Sequence, residues 1–140
     1  MMTAGRICLK SATDTKWAVD NMTIEKSFLI CGSTHFSDYY TFSAGMQEIG
    51  ITDGCAIFTF AMDGVCHMAA IWAKQAHIPC SRIPLSDFIP SRQVQLLDTV
   101  SNVDEIIVFG KGEDDVTAYV LRLAKLARRT IYFFGKESGY

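Results

Sequence analysis

The stretch Cys31-Gly32-Ser33-Thr34-His35-Phe36-Ser37-Asp38 follows the apolar run Ser27-Phe28-Leu29-Ile30 and carries the residue types of a ligand-binding turn. A strand that ends in Gly-Ser and feeds a helix presents free backbone N–H groups, which suit an anion such as phosphate. Gly32 permits a sharp turn and close ligand approach, Ser33 offers a hydroxyl, and Asp38 can cap a helix over 39–49. Gly, Ser and Asp also serve as simple caps in turns of this kind, so the motif marks a binding edge and names no reaction.

A second stretch, Gly110-Lys111-Gly112-Glu113-Asp114-Asp115-Val116-Thr117, is also glycine-bearing and leads into a helix. Lys111 can touch a phosphate, whereas the three acids repel one unless a cation intervenes. Acids at a helix start equally complement the helix dipole. The acids available for proton transfer or oxocarbenium stabilisation are Asp38, Asp63, Glu113, Asp114 and Asp115, and none is assigned a catalytic role. His35 sits in the first ligand loop. His67 and His77 lack a thiol or carboxylate at metal spacing, so neither a metal nor a cofactor is expected.

The elements that must position these residues follow from the hydropathy pattern, which switches between short β-like runs and helical periods, as in an α/β domain with a mainly parallel sheet. Residues 6–10 and 16–20 read as an N-terminal β-hairpin added at a sheet edge. Core strands are expected over 27–31, 55–60, 80–84, 104–109 and 130–134, and helices over 39–49, 64–76, 92–101 and 115–128. Residues 85–90 read as a loop closed by Pro84 and Pro90. The division is a hairpin extension over 1–26, a ligand-binding domain over 27–134 and a frayed tail over 135–140. In an open parallel sheet ligands bind outside the carboxyl ends of the strands, so the loops after Cys31, Phe60 and Phe109 should share one crevice. Trp72, Met68 and Ala69 read as core packing against that sheet.

Composition narrows the function classes. With 140 residues, 49% hydrophobic and 20% charged, the chain fits one globular domain and is not an extended disordered one. A net charge of −2 gives no basic field for nucleic acid. The cluster Arg122, Lys125, Arg128 and Arg129 suits a helix carboxyl end. Five cysteines without C-x-x-C spacing argue for buried reduced thiols. No secretory leader or membrane-length apolar run is evident, so a cytoplasmic, membrane-free protein is expected. A symmetric partner is expected to cover exposed apolar surface, with the hairpin as the candidate interface.

The order of motifs resembles the SLOG superfamily of Rossmann-like domains, related to cytokinin-activating phosphoribohydrolases and to the DprA fold, and especially its small stand-alone YspA-type branch. The resemblance covers 28–134. Residues 29–38 are similar to the opening strand and its Gly-Ser-Arg-x-Phe-x-Asp turn, with Thr34 in place of Arg. Gly64 through Ala73, then His77-Ile78-Pro79, resembles the Gly-Ala-Asp-x-Leu-Ala-x-x-Trp-Ala helix and its Gly-Ile-Pro ending, with Cys66 in place of Asp. Residues 90–97 resemble a helix start that supplies an Arg, matched by Arg92. Residues 107–117 resemble the strand and Pro-Gly-Gly-x-Gly-Thr loop that close the site.

The resemblance implies a pocket built from Gly32, Ser33, Thr34, His35, Asp38, Gly64, Arg92, Gly110, Lys111, Gly112 and Thr117. It implies a nucleotide or nucleotide-derived signal molecule as partner. Two activities are compatible with that: capture by a sensor or sequestering module, or N-glycosidic hydrolysis of a nucleoside monophosphate or related nucleotide. An interaction protein with a decayed pocket is the third expectation.

Overall fold

Short β-branched and aromatic runs alternate with helical stretches, and the computed structural model resolves this alternation into five strands and four helices among residues 25–52, 54–111 and 114–134. The elements are β1 (Lys26–Gly32), α1 (Tyr39–Ile49), β2 (Cys55–Phe60), α2 (Val65–Ala76), β3 (Cys80–Ile83), α3 (Ile89–Asn102), β4 (Glu105–Phe109), α4 (Asp115–Leu126) and β5 (Thr130–Phe134). The expected N-terminal hairpin over 6–20 and the tail over 135–140 lie outside the described residues.

All five strands are parallel, in the order β3-β2-β1-β4-β5. The chain walks one way from β1 to β3, crosses back, and continues from β4 to β5. Right-handed crossovers then require α1 and α2 on one face and α3 and α4 on the other. The two cores match this split. Phe28, Ile30, Ile57, Ile107 and Phe109 pack with Phe42 and Met46 of α1 and Ala69 and Ala73 of α2. Leu29, Cys31, Ile106 and Val108 pack with Leu96 and Val100 of α3 and Val120 and Ala124 of α4. Both faces of β1 and β4 are therefore buried, which accounts for their near-continuous apolar sequences. This is a Rossmann-like three-layer α/β architecture, as expected.

Helix ends are set by local chemistry. Gly50 takes a left-handed conformation and closes α1, donating its N–H to Met46 and Gln47. The start of α3 differs from expectation: the helix begins at Ile89 and the connection before it is shorter. Pro90 sits in the first turn, where a missing N–H costs nothing and a fixed φ suits the helix. Arg129 closes the carboxyl end of α3 by donating to the carbonyls of Val100 and Ser101, at 3.3 and 2.8 Å. Trp72 and Met68 are partly buried against the first core. No helix among the described residues is long and apolar enough to cross a membrane.

Candidate functional site

Strand order reverses between β1 and β4, and a crevice outside their carboxyl ends is where an open α/β sheet places a ligand. Three loops meet there around Ser33, which is only 7% exposed. The Ser33 N–H donates to the Phe109 carbonyl at 3.1 Å. Its carbonyl accepts from Phe36 and from Val65, at 3.3 and 3.2 Å, and its Oγ accepts the His35 N–H at 3.1 Å. Glycine makes this convergence possible. A Cβ on Gly64 would strike the Ser33 carbonyl oxygen and lie 2.6 Å from Thr34 Cα, and one on Gly110 would lie 2.8 Å from Ser33 Cβ. Both glycines have positive φ, 72° and 91°. A Cβ on Gly32 would strike the Phe109 carbonyl oxygen.

The helix starts around this point are not equivalent. Asp38 caps α1, accepting from the Thr41 N–H at 3.1 Å and from its hydroxyl at 2.6 Å, which hold the carboxyl below its usual value. Asp114 caps α4 through Oδ2, which accepts the Thr117 N–H at 3.1 Å. The start of α2 has Gly64 at the cap position and no side-chain acceptor. Ser33 takes the Val65 N–H, and the next amides, of Cys66 and His67, have no backbone acceptor among the described residues.

Asp114 adds a second feature. Its Oδ1 is buried and has no hydrogen-bond partner among the described residues. A buried acceptor left unsatisfied costs about 1–3 kcal/mol. Below lie Cys31 and Cys66, whose thiols burial pushes above their ordinary value, well above it for Cys31. Among the described residues Cys31, Cys55 and Cys66 are buried free thiols, and Cys80 is half-buried. The Thr117 hydroxyl donates to the Gly32 carbonyl at 3.3 Å, tying α4 to the end of β1.

The expected site residues thus separate. Gly32, Ser33, Thr34, His35, Gly64, Gly110 and Thr117 come together at the β1/β4 reversal, with exposed Lys111 on the adjoining loop. Asp38 is there but engaged as a cap. Gly112 lies outside the described residues. Arg92 lines a recess between α3 and α4, with Ile89, Gln93, Leu96, Asp115, Val116 and Tyr119. Two contributors were missed. Arg82 of β3 donates to the Met62 carbonyl at 2.7 Å and the Phe60 carbonyl at 3.4 Å, fixing the β2–α2 loop. Asp114 was read only as one acid among several. No group of three or more His, Cys, Asp or Glu able to hold a metal occurs among the described residues.

Neither the family models nor the curated proteins give a match to this chain.

Proposed function

We propose that the carboxyl edge of the sheet binds a nucleotide or nucleotide-derived signal molecule and holds it intact, as a sensor or sequestering module. The observation that carries this reading is the first turn of α2, which has no side-chain cap and meets the end of β1 at Ser33, whereas the neighbouring α1 and α4 are capped by Asp38 and Asp114. Open N–H groups at the positive end of a helix favour a phosphate. The unsatisfied Asp114 Oδ1 complements it by accepting from a ligand hydroxyl, so the edge offers donors to a phosphate and an acceptor to a sugar. The resemblance to SLOG domains supports the same ligand class.

Capture is favoured over hydrolysis by how the acids are used. Among the described residues Asp38 and one oxygen of Asp114 serve as caps and Asp63 and Asp115 are exposed, an arrangement that supports capture over activation of a bound water. The test is a panel of nucleoside monophosphates, cyclic dinucleotides and ADP-ribose isomers, scored by thermal shift and by mass spectrometry of each mixture. A stabilising ligand recovered intact is the expected result. Release of a free base would replace capture with N-glycosidic hydrolysis, and no shift with any compound would overturn the ligand reading.

A further inference from the structure

The recess between α3 and α4 lies at the same edge of the sheet as the β1/β4 crevice. The chain enters α3 from the carboxyl end of β3 and α4 from that of β4, so in a parallel sheet both helices start at that edge. One face of each helix lines the recess: Arg92 and Leu96 are four residues apart on α3, and Asp115 and Tyr119 are four apart on α4, with Val116 beside them. Leu96 and Val116 are buried in the core that joins the two helices, and the half-buried Tyr119 packs against that core. The volume is about 180 Å³. A cavity of about 150 Å³ accepts benzene, so a flat ring fits this one.

The charged residues of the recess decide which flat ring. Arg92 on α3 is half-buried and Asp115 on α4 is exposed at the rim, and neither side chain has an ion pair or a hydrogen bond among the described residues. A carboxylate presents two acceptor oxygens side by side and is matched in full by two adjacent donors, whereas a guanidinium presents only donors and is matched by acceptors. Guanine carries both patterns. Its N1–H stands next to its 2-amino group, and its O6 and N7 form the acceptor pair that arginine contacts in bidentate fashion. Adenine and cytosine set one amino group beside acceptors, and uracil sets one N–H between two carbonyls, so each of them leaves a carboxylate oxygen unmatched.

We propose that the α3–α4 recess receives a guanine base, with Asp115 accepting from its N1–H and 2-amino group and Arg92 donating to its O6 and N7. This inference rests on the reading of the sheet edge as a nucleotide site. Consecutive residues connect the two places: Asp114 caps α4 through Thr117, whose hydroxyl binds the Gly32 carbonyl at the crevice, and Asp115 lines the recess.

Calorimetric titration of the full chain with GMP, IMP, AMP and XMP tests the assignment. GMP should bind most tightly of the four, and IMP, which lacks the 2-amino donor, should bind about tenfold more weakly. Asp115→Asn should reverse the order of GMP and XMP, because the Asn amide no longer accepts from two donors and donates instead to the oxygen on C2 of xanthine. A gain in XMP affinity cannot come from a variant that fails to fold. Preference for AMP, or an order of affinities indifferent to Asp115→Asn, would overturn the guanine assignment while leaving the edge a nucleotide site. If none of the four binds, the guanine assignment falls, and the wider nucleotide panel decides the reading of the edge separately.

Discussion

Gly64 stands against Thr34 so closely that a single added methyl group would lie 2.6 Å from the Thr34 Cα and carbonyl carbon. This contact joins the β2–α2 loop to the end of β1, and the open turn of α2 depends on it. Gly64→Ala meets backbone on one side and a positive φ on the other, so it should destabilise the fold by about 3 kcal/mol or more. Gly50→Ala also has a positive φ, but nothing lies within 4 Å of its Cβ, and it should cost about 1 kcal/mol. Urea unfolding of the two variants checks the difference; equal losses would mean that close approach is not what Gly64 supplies.

The crevice is braced from below by Phe109, which is fully buried with ring centroids 4.6 Å from Phe42, 5.0 Å from Phe134 and 5.9 Å from Phe36. Phe109→Ala should cost about 3–5 kcal/mol, the range for deleting a buried ring. Chemical denaturation gives the number, and a loss below about 1 kcal/mol, within the scale of an ordinary surface change, would contradict this packing.

Alkaline pH should weaken the fold through its buried thiols. The folded values for Cys31 and Cys66 lie above the ordinary 9.0, chiefly from burial. In the unfolded chain these thiols ionise near that pH while in the folded chain they keep their protons. Their contribution is whole below the unfolded value and is lost as pH rises toward the folded one. Melting temperatures recorded from neutral pH upward should fall beyond pH about 9, and less steeply in Cys31→Ala. A slope identical in both proteins would remove Cys31 from the explanation.

Asp114 separates capping from ligand contact. Asp114→Asn keeps an oxygen to cap Thr117 but replaces the other with an NH2 group, which cannot accept a hydrogen bond. Stability should change by less than about 1 kcal/mol, while affinity for a nucleotide should fall roughly tenfold, the scale of one charge-assisted hydrogen bond. Calorimetric titration reads the second effect, and unchanged affinity would exclude Oδ1 from the site.

The fold was legible because its signals are local. Residues 39–49, 55–60 and 130–134 fall in their elements with the expected bounds, since Gly50, the Asp53-Gly54 pair in the sequence after Ile51, and the break before Thr130 are all punctuation that acts within a few residues. The start of α3 was misplaced because Pro90 ends a helix at most positions yet suits a first turn. The glycines of the crevice were legible too, as turn residues. Arg82 was not: its role is to hold carbonyls 20 and 22 residues earlier, which no short pattern encodes.

The central claim is that an anion occupies the open turn of α2, and His67→Glu tests it most directly. His67 is exposed at the third position of that helix. A carboxylate there favours the helix dipole by about 0.3–1 kcal/mol and repels a bound phosphate, so stability and binding should move in opposite directions. Calorimetric titration of the strongest nucleotide from the panel should show affinity about tenfold lower in His67→Glu than in the native chain, with a melting temperature equal or higher. Undiminished affinity in a folded His67→Glu protein would contradict the account.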